Sequence, residues 1–397
     1  MALWSRNPDT DTGAAESGAL ILMRDVVKTF ETSAGVFCAL KGIDADFHRG
    51  EFVAVIGKSG SGKSTLANMI TGIDRPTAGD VRIGGINMQH LGESDMARWR
   101  GGNLGIVFQF YQLLPILSLL ENVMLAMDLR GVLPRAEREP RAMQLLDMVG
   151  LSSLAHKKPA AVSGGEQQCA AIARALANDP PIVVADEPTG NLDSRTAESV
   201  FTIFDELTQQ GKTIIIVTHD NALAQKTTRT LLLADGEVVN DAIAATLPWL
   251  THQQMLDATH ALRSLQLAPG ETIIHQGQAN DNFYMITKGH IEVVYERPGG
   301  NDVSLARLGP GEHFGEIELL RNVDSLATIR AVGRGQVDLV ALDREMFTRL
   351  TEQVRAMREQ MTHTAQQRFS QNVELTSQLR REHGLHRRLR RAQTALA

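Results

Sequence analysis

Nine residues, GKSGSGKST at positions 57–65, carry glycines, a lysine and hydroxyls at a spacing that suits phosphate binding. They fit G-x-x-x-x-G-K-S, and they lie between the apolar run FVAVI and the helical pattern LANMITG, the strand–loop–helix context this chemistry needs. Backbone N–H groups from Gly57, Lys58, Ser59, Gly60, Ser61, Gly62 and Thr65, at a helix N-terminus, stabilise phosphate charge. Lys63 is expected to reach the β- and γ-phosphates of ATP, and the Ser64 hydroxyl to ligate Mg²⁺. The second half of the site is IVVADEP, where an apolar strand ends in two acids. Asp186 is placed to hold Mg²⁺ or its water, and Glu187 to polarise the attacking water.

Continuous apolar runs must position these groups. FVAVIG, IVVAD and TIIIVTH are separated by helical patterns from about Leu20 to Asn240, which predicts a parallel α/β sheet covered on both faces. At 397 residues the chain has room for two or three domains. Its net charge of −6 argues against nucleic acid as a partner. Two cysteines, Cys38 and Cys169, are too few for a disulfide framework and point to a reducing compartment. The polar N-terminus lacks a signal core, and no run of about 18 apolar residues occurs, so a membrane span would come from another chain.

Between the two halves of the site lies VSGGEQQCAAIARAL (162–176), which resembles the signature of ATP-binding cassette (ABC) proteins. Gln109 in VFQFYQLLP resembles the Q-loop, Asn191-Leu192-Asp193 the D-loop and His219 the H-loop, all in the family's order. The resemblance implies a head-to-tail homodimer in which the phosphate loop of one copy and the signature of the other enclose each ATP. Ser163 and Gly165, with Gly164 and Glu166 beside them, would then meet the γ-phosphate from across the interface. Gln109 would sense Mg²⁺ and the attacking water, His219 would hold the γ-phosphate, and Asp193 would join the nucleotide-binding set. Phe30 matches the position of the adenine-stacking aromatic, with Phe37 as the other candidate. Cys169 stands where the family usually has Arg, a change that removes no phosphate ligand and is read as a packed thiol.

FQFYQLLPILSLLENV and DEPTGNLD are similar to the MacB, LolD and FtsE branch. That resemblance implies two membrane permease subunits and a place at the cytoplasmic face of the cell membrane. Export of lipoproteins or small molecules is the first reading; mechanical control of cell-wall enzymes is the alternative. A soluble ABC protein of translation or repair would carry a second ATPase unit or a long coiled-coil insertion, and neither is present. The apolar stretch 108–120 fits either the seat of a permease helix or plain core.

After about Ala242 the texture changes. Residues 250–265 read as a helix, and from Leu267 to Leu342 short alternating strands punctuated by Gly predict a small β-barrel or sandwich. LAPGETIIHQGQANDNFYMITKGHIEVV and FGEIELL resemble a cyclic-nucleotide-binding domain, which implies that Glu316 takes the ribose 2′-OH. In that family an Arg nine positions after the Glu binds the cyclic phosphate; here the position is Ser325, which supplies no charge. Arg321 and Arg330 are the nearby substitutes. The domain is read either as a degenerate module for protein contacts or another ligand, or as a cyclic-nucleotide sensor that regulates the ATPase. Apolar residues from Met346 to Val373 recur at helical spacing, and six Arg between Arg380 and Arg391 against the single acid Glu382 suit anionic lipid or a solvated helix end. The expected organisation is a lead-in at 1–19, an α/β P-loop ABC ATPase domain at 20–242, a cyclic-nucleotide-binding-like β-barrel domain at 250–345, and a helical, basic tail at 346–397.

Overall fold

The computed structural model describes residues 18–33, 35–190, 192–297 and 302–373. The lead-in at 1–17, Asn191 of the D-loop and the basic run 380–391 lie outside the described residues. The chain divides into two compact units between Val238 and Val239.

The first unit is built on a six-stranded sheet. It contains β3 (Phe52–Ile56), β6 (Leu104–Val107), β7 (Ile182–Asp186), β8 (Thr213–Thr218), β9 (Arg229–Ala234) and β10 (Glu237–Val238), in the order β10-β9-β3-β8-β7-β6. All neighbours are parallel except the β10–β9 pair. Every residue of β8 is buried, which explains its unbroken apolar sequence. Successive side chains of a strand point to opposite faces. Phe52, Ala54, Val183, Ala185, Ile214 and Ile216 therefore enter one core, while Val53, Val55, Ile182, Val184, Ile215 and Val217 enter a second. In the first core Phe52 stacks on Phe201 at 5.0 Å and meets the edge of Phe204 at 6.4 Å.

A second sheet, of order β2-β1-β4-β5, is antiparallel: β1 (Ala19–Thr32), β2 (Gly35–His48), β4 (Ala78–Ile83) and β5 (Ile86–Asn87). The all-parallel reading of 20–240 omits it: β1 and β2 carry the short apolar runs ALILM and VFCAL, and such a run does not say whether its strand pairs parallel or antiparallel. Helices α1 (Lys63–Thr71), α2 (Glu93–Asn103), α3 (Leu119–Arg130), α4 (Arg135–Met148), α5 (Gly164–Ala175), α6 (Ser194–Gln209) and α7 (Asn221–Ala224) complete the unit. Asn122 on α3 is fully buried. It accepts from the Leu114 amide at 2.7 Å and donates to the carbonyls of Leu114, Leu117 and Ser118, which ties down the segment after Gln109.

In the second unit two short helices, α8 (Asp241–Thr246) and α9 (His252–His260), lead into two four-stranded antiparallel sheets. One is β11-β18-β13-β16 and the other β12-β17-β14-β15. Their strands are β11 (Arg263–Leu267), β12 (Thr272–Ile274), β13 (Asn282–Lys288), β14 (His290–Tyr295), β15 (Val303–Leu308), β16 (His313–Phe314), β17 (Thr328–Val332) and β18 (Val337–Asp343). Tyr284 stacks on Phe314 at 4.8 Å inside the shared core. The single helix expected over 250–265 stops at His260, and Arg263–Leu267 pairs instead with Val337–Ala341. Four of the five β11 residues are exposed, so this edge strand leaves little apolar signal in the sequence.

Helix α10 (Glu316–Arg321) interrupts the second half of the unit, and α11 (Arg344–Gln353) follows β18. The single helix expected from Met346 is in fact two. Val354 adopts an extended conformation, φ −117° and ψ 97°, and a further helix α12 runs over 355–373. Met346, Phe347 and Leu350 bury one face of α11, and Met357, Met361 and Ala365 one face of α12, so the helical spacing passes unbroken through the break. Among the described residues no helix is long and apolar enough to cross a membrane.

Candidate functional site

The loop between β3 and α1 is fixed by its glycines. Gly62 caps α1 at φ 100°, and a Cβ there would lie 2.6 Å from the Ala39 carbonyl oxygen, so no other residue fits without displacing β2. Lys63 is buried, and its ammonium curls back to the carbonyls of Gly57 at 2.8 Å and Lys58 at 3.0 Å.

Parallel pairing of β7 with β8 brings the ends of both strands to the same sheet edge, the place where open α/β sheets bind ligands. Asp186 ends β7, and burial pushes its carboxyl above the usual range, against the pull of a Ser64 hydrogen bond and the Lys63 charge. Glu187 follows in the left-handed region, at φ 48°, with its amide held by the Val217 carbonyl at 2.8 Å. A non-glycine residue keeps that conformation only when its surroundings impose it. His219, one residue beyond β8, places Nδ1 2.9 Å from both oxygens of the Glu187 carboxylate.

These groups face one cavity of about 490 Å³. Ser59, Gly60, Gly62, Lys63, Ser64 and Thr65 line it together with Gln109, Asp186, Glu187 and His219. Gly57, Lys58 and Ser61 shape the loop behind it. Two buried oxygens, Ser61 Oγ and Asp186 Oδ1, have no hydrogen-bond partner among the described residues. Phe37 is on the cavity wall and Phe30 is not. The two are directly opposed in the β1–β2 hairpin, but the Phe30 ring is covered by the Lys28 ammonium 5.0 Å from its centre.

The signature residues do not line this cavity. Ser163 is exposed and caps α5: its hydroxyl accepts from the Glu166 amide at 3.3 Å and donates to the Glu166 carboxylate at 2.9 Å. The hydrogen bond from the Ser163 amide, 2.6 Å, is the main cause that holds Glu166 below the usual carboxylate range. A Cβ at Gly164 would lie 2.8 Å from the Tyr111 hydroxyl oxygen, and one at Gly165 3.3 Å from the Leu192 side chain, so either would ask its neighbour to shift. Asp193 caps α6, with both carboxylate oxygens taken by Arg195 and Thr196. Cys169 is buried inside the first core, and burial pushes its thiol up to about 11. One connection the sequence reading missed is Arg174, which reaches from α5 to the carbonyls of Tyr111 and Gln112.

The second unit holds a cavity of about 560 Å³, on whose wall Glu316 and Ser325 both lie. Neither expected substitute cation reaches it. Arg330 pairs with Glu292 and Asp302, and Arg321 lies over the Phe369 ring at 4.0 Å. The cation present is Arg368 on α12, which no motif flagged. It donates to the fully buried Glu316 at 2.9 Å and to the His313 carbonyl at 2.7 Å.

A glycine loop on a helix start, two acids at a parallel strand end and a separately capped signature helix define an ATP-hydrolysing cassette. Residues 40–190 match the family model described as ABC transporter, and residues 264–354 the model described as cyclic nucleotide-binding domain. The chain is 42% identical to a lipoprotein-releasing system ATP-binding protein, LolD, of Bacteroides fragilis, over 55% of this chain and all of the relative. It is 44% identical to a macrolide export ATP-binding/permease protein, MacB 1/2, of Paracoccus denitrificans, over 57% of this chain and 34% of the relative. A Methanocaldococcus jannaschii ATP-binding cassette, solved as a dimer in a post-hydrolysis state with ADP and phosphate, is 41% identical. That match has a TM-score of 0.54 over 55% of this chain and 97% of the cassette. The chain therefore belongs to the ATP-binding proteins of ABC transporters, and it is an ATPase that carries a second domain of the cyclic-nucleotide-binding family.

Proposed function

We propose that two copies of this chain form the ATP-driven motor of a membrane exporter, working at the cytoplasmic face with two permease subunits. The observation that carries the dimer is the separation of the site. One cavity gathers the phosphate loop, Gln109, Asp186, Glu187 and His219, while the exposed Ser163 and the first-turn amides of α5 lie outside it. A second copy, placed head to tail, supplies its Ser163 and Gly165 amides to the γ-phosphate and completes the site. Export is supported by the relatives named for macrolide export and lipoprotein release.

Within the cavity the loop amides and the Lys63 ammonium hold the β- and γ-phosphates, and the Phe37 ring stacks on adenine. The donor set suits Mg²⁺, since the Ser64 hydroxyl lies by Asp186, whose buried Oδ1 lacks a partner. Bound there, Mg²⁺ would neutralise charge on the β- and γ-oxygens. Gln109 orients the attacking water. The Glu187 carboxylate accepts its proton, and the His219 ring holds that carboxylate in place through Nδ1. Closure around ATP and reopening after hydrolysis pass motion to the permease. Glu187→Gln tests this directly: gel filtration with ATP is expected to show a trapped dimer without turnover. Normal turnover by that variant would overturn the role of Glu187.

A further inference from the structure

Between β6 and α3, residues 108–118 form neither helix nor strand, so their carbonyls look to side chains for partners. The segment carries three exposed apolar side chains, Phe110, Leu114 and Ile116. Its later part is tied to α3 by Asn122. Its earlier part is tied to α5. Arg174, in the last turn of that helix, donates from Nη1 to the Gln112 carbonyl and from Nη2 to the Tyr111 carbonyl at 2.8 Å. Gln112 keeps a left-handed backbone, φ 50°, without being glycine, which a chain does only where its surroundings impose it. Burial pulls the Arg174 guanidinium below its usual range, so its charge is drawn from water to serve these two carbonyls.

Tyr111 meets α5 a second time, at the opposite end. Its hydroxyl crowds the place where a Cβ of Gly164 would stand, beside the Ser163 that caps the helix. One tyrosine thus touches the last turn of α5 through its carbonyl and the first turn through its phenol. The helix between is anchored in the core, with every residue from Gln168 to Ala173 buried. Moving Tyr111 means either breaking the Arg174 bonds or carrying α5 along. Hydrogen bonds to a charged donor are the costlier kind to break.

We propose that Arg174 and Tyr111 are positioning residues: they brace the segment after Gln109 against the signature helix, so that the position of that segment sets where Ser163 stands. This rests on the reading that Ser163 acts on the ATP of a second copy. The test is a double-substitution cycle on steady-state ATPase of the full chain, with Mg²⁺ and saturating ATP. Arg174→Met is expected to lower kcat by ~10-fold or more, the scale on which misplacing a group that meets the reacting phosphate costs turnover. ADP affinity, read by calorimetry, is expected to stay within about 2-fold, since ADP offers no γ-phosphate for the signature to hold. In a Ser163→Ala background the same substitution is expected to cost at least ~3-fold less, because the hydroxyl it places is gone. A merely structural arginine would cost the same in both backgrounds. An equal loss in the two backgrounds, an unchanged kcat in Arg174→Met, or ADP affinity falling in step with kcat would each overturn the brace. Normal turnover in Ser163→Ala would instead overturn the dimer reading, and the brace with it. Tyr111→Ala, which leaves the residues of α5 intact, repeats the cycle with the same expectations and decides the matter even if Arg174→Met does not fold.

Discussion

The two cavities are close in size, about 490 Å³ and 560 Å³, yet they differ in what their polar groups are free to do. In the first, Lys63 rests on backbone carbonyls, and the oxygens of Ser61 and Asp186 await partners. In the second, Nη1 of Arg368 already serves Glu316 and the His313 carbonyl, and the Ser325 hydroxyl donates to the Ala327 carbonyl. A family fold thus guarantees a pocket but not its ligand.

This contrast can be broken or sharpened by four measurements. The largest effect is expected at Glu187. If the first cavity is the catalytic one, Glu187→Gln lowers steady-state ATPase by ~10²–10⁴-fold, the span of general-base catalysis. Arg368→Ala comes next, because it strands Glu316 in the core. A loss on the order of 3 kcal/mol in thermal unfolding is expected, as for breaking a buried pair. Burial already raises the Glu316 carboxyl, and without Arg368 that shift grows. Proton uptake then favours the folded state, so the deficit should be greatest at neutral pH and shrink on acidification toward the usual carboxylate range. An unchanged melting temperature would mean that the second cavity is not held by this pair. Ser163→Ala removes a hydroxyl that the proposed dimer offers to ATP. It should reduce turnover by roughly 10–100-fold, the worth of one hydrogen bond to a charged group. The smallest effect separates two phenylalanines. Phe37→Ala should weaken ATP binding by about 10-fold and Phe30→Ala by little, read by nucleotide titration.

The first cavity was largely legible in the sequence because its groups sit in contiguous motifs at strand ends. GKSGSGKST and IVVADEP each carry their own strand, so the register of the sheet needed only to bring two ends together. Phe30 and Phe37 show the limit. They oppose one another in one hairpin, and only the tertiary position of Lys28, which also bonds Asp74 at 2.6 Å, turns Phe30 away from the role. In the second unit the strands were legible from their alternation, but the cation was not. Arg368 lies 52 residues from Glu316, on a helix whose apolar spacing concealed a break at Val354. Arg321 and Arg330, closer in sequence, are held elsewhere by Phe369 and Glu292. The antiparallel sheet of the first unit escaped for a related reason: its two 14-residue strands carry apolar runs, but their antiparallel pairing and bulged register are set by partners distant in sequence.

The capping box of α5 has one consequence for timing. A serine hydroxyl has a single proton, and that of Ser163 is engaged by Glu166. An isolated cassette therefore keeps its signature self-latched, with its donor turned toward its own helix. In the proposed dimer, engaging ATP on another copy would mean turning that proton away from Glu166 first, at a cost of about 1 kcal/mol, the net worth of one hydrogen bond. The proposed interface would thereby be biased to stay open until a γ-phosphate arrives to take that proton in place of Glu166, so that idle collisions between copies would not close the motor.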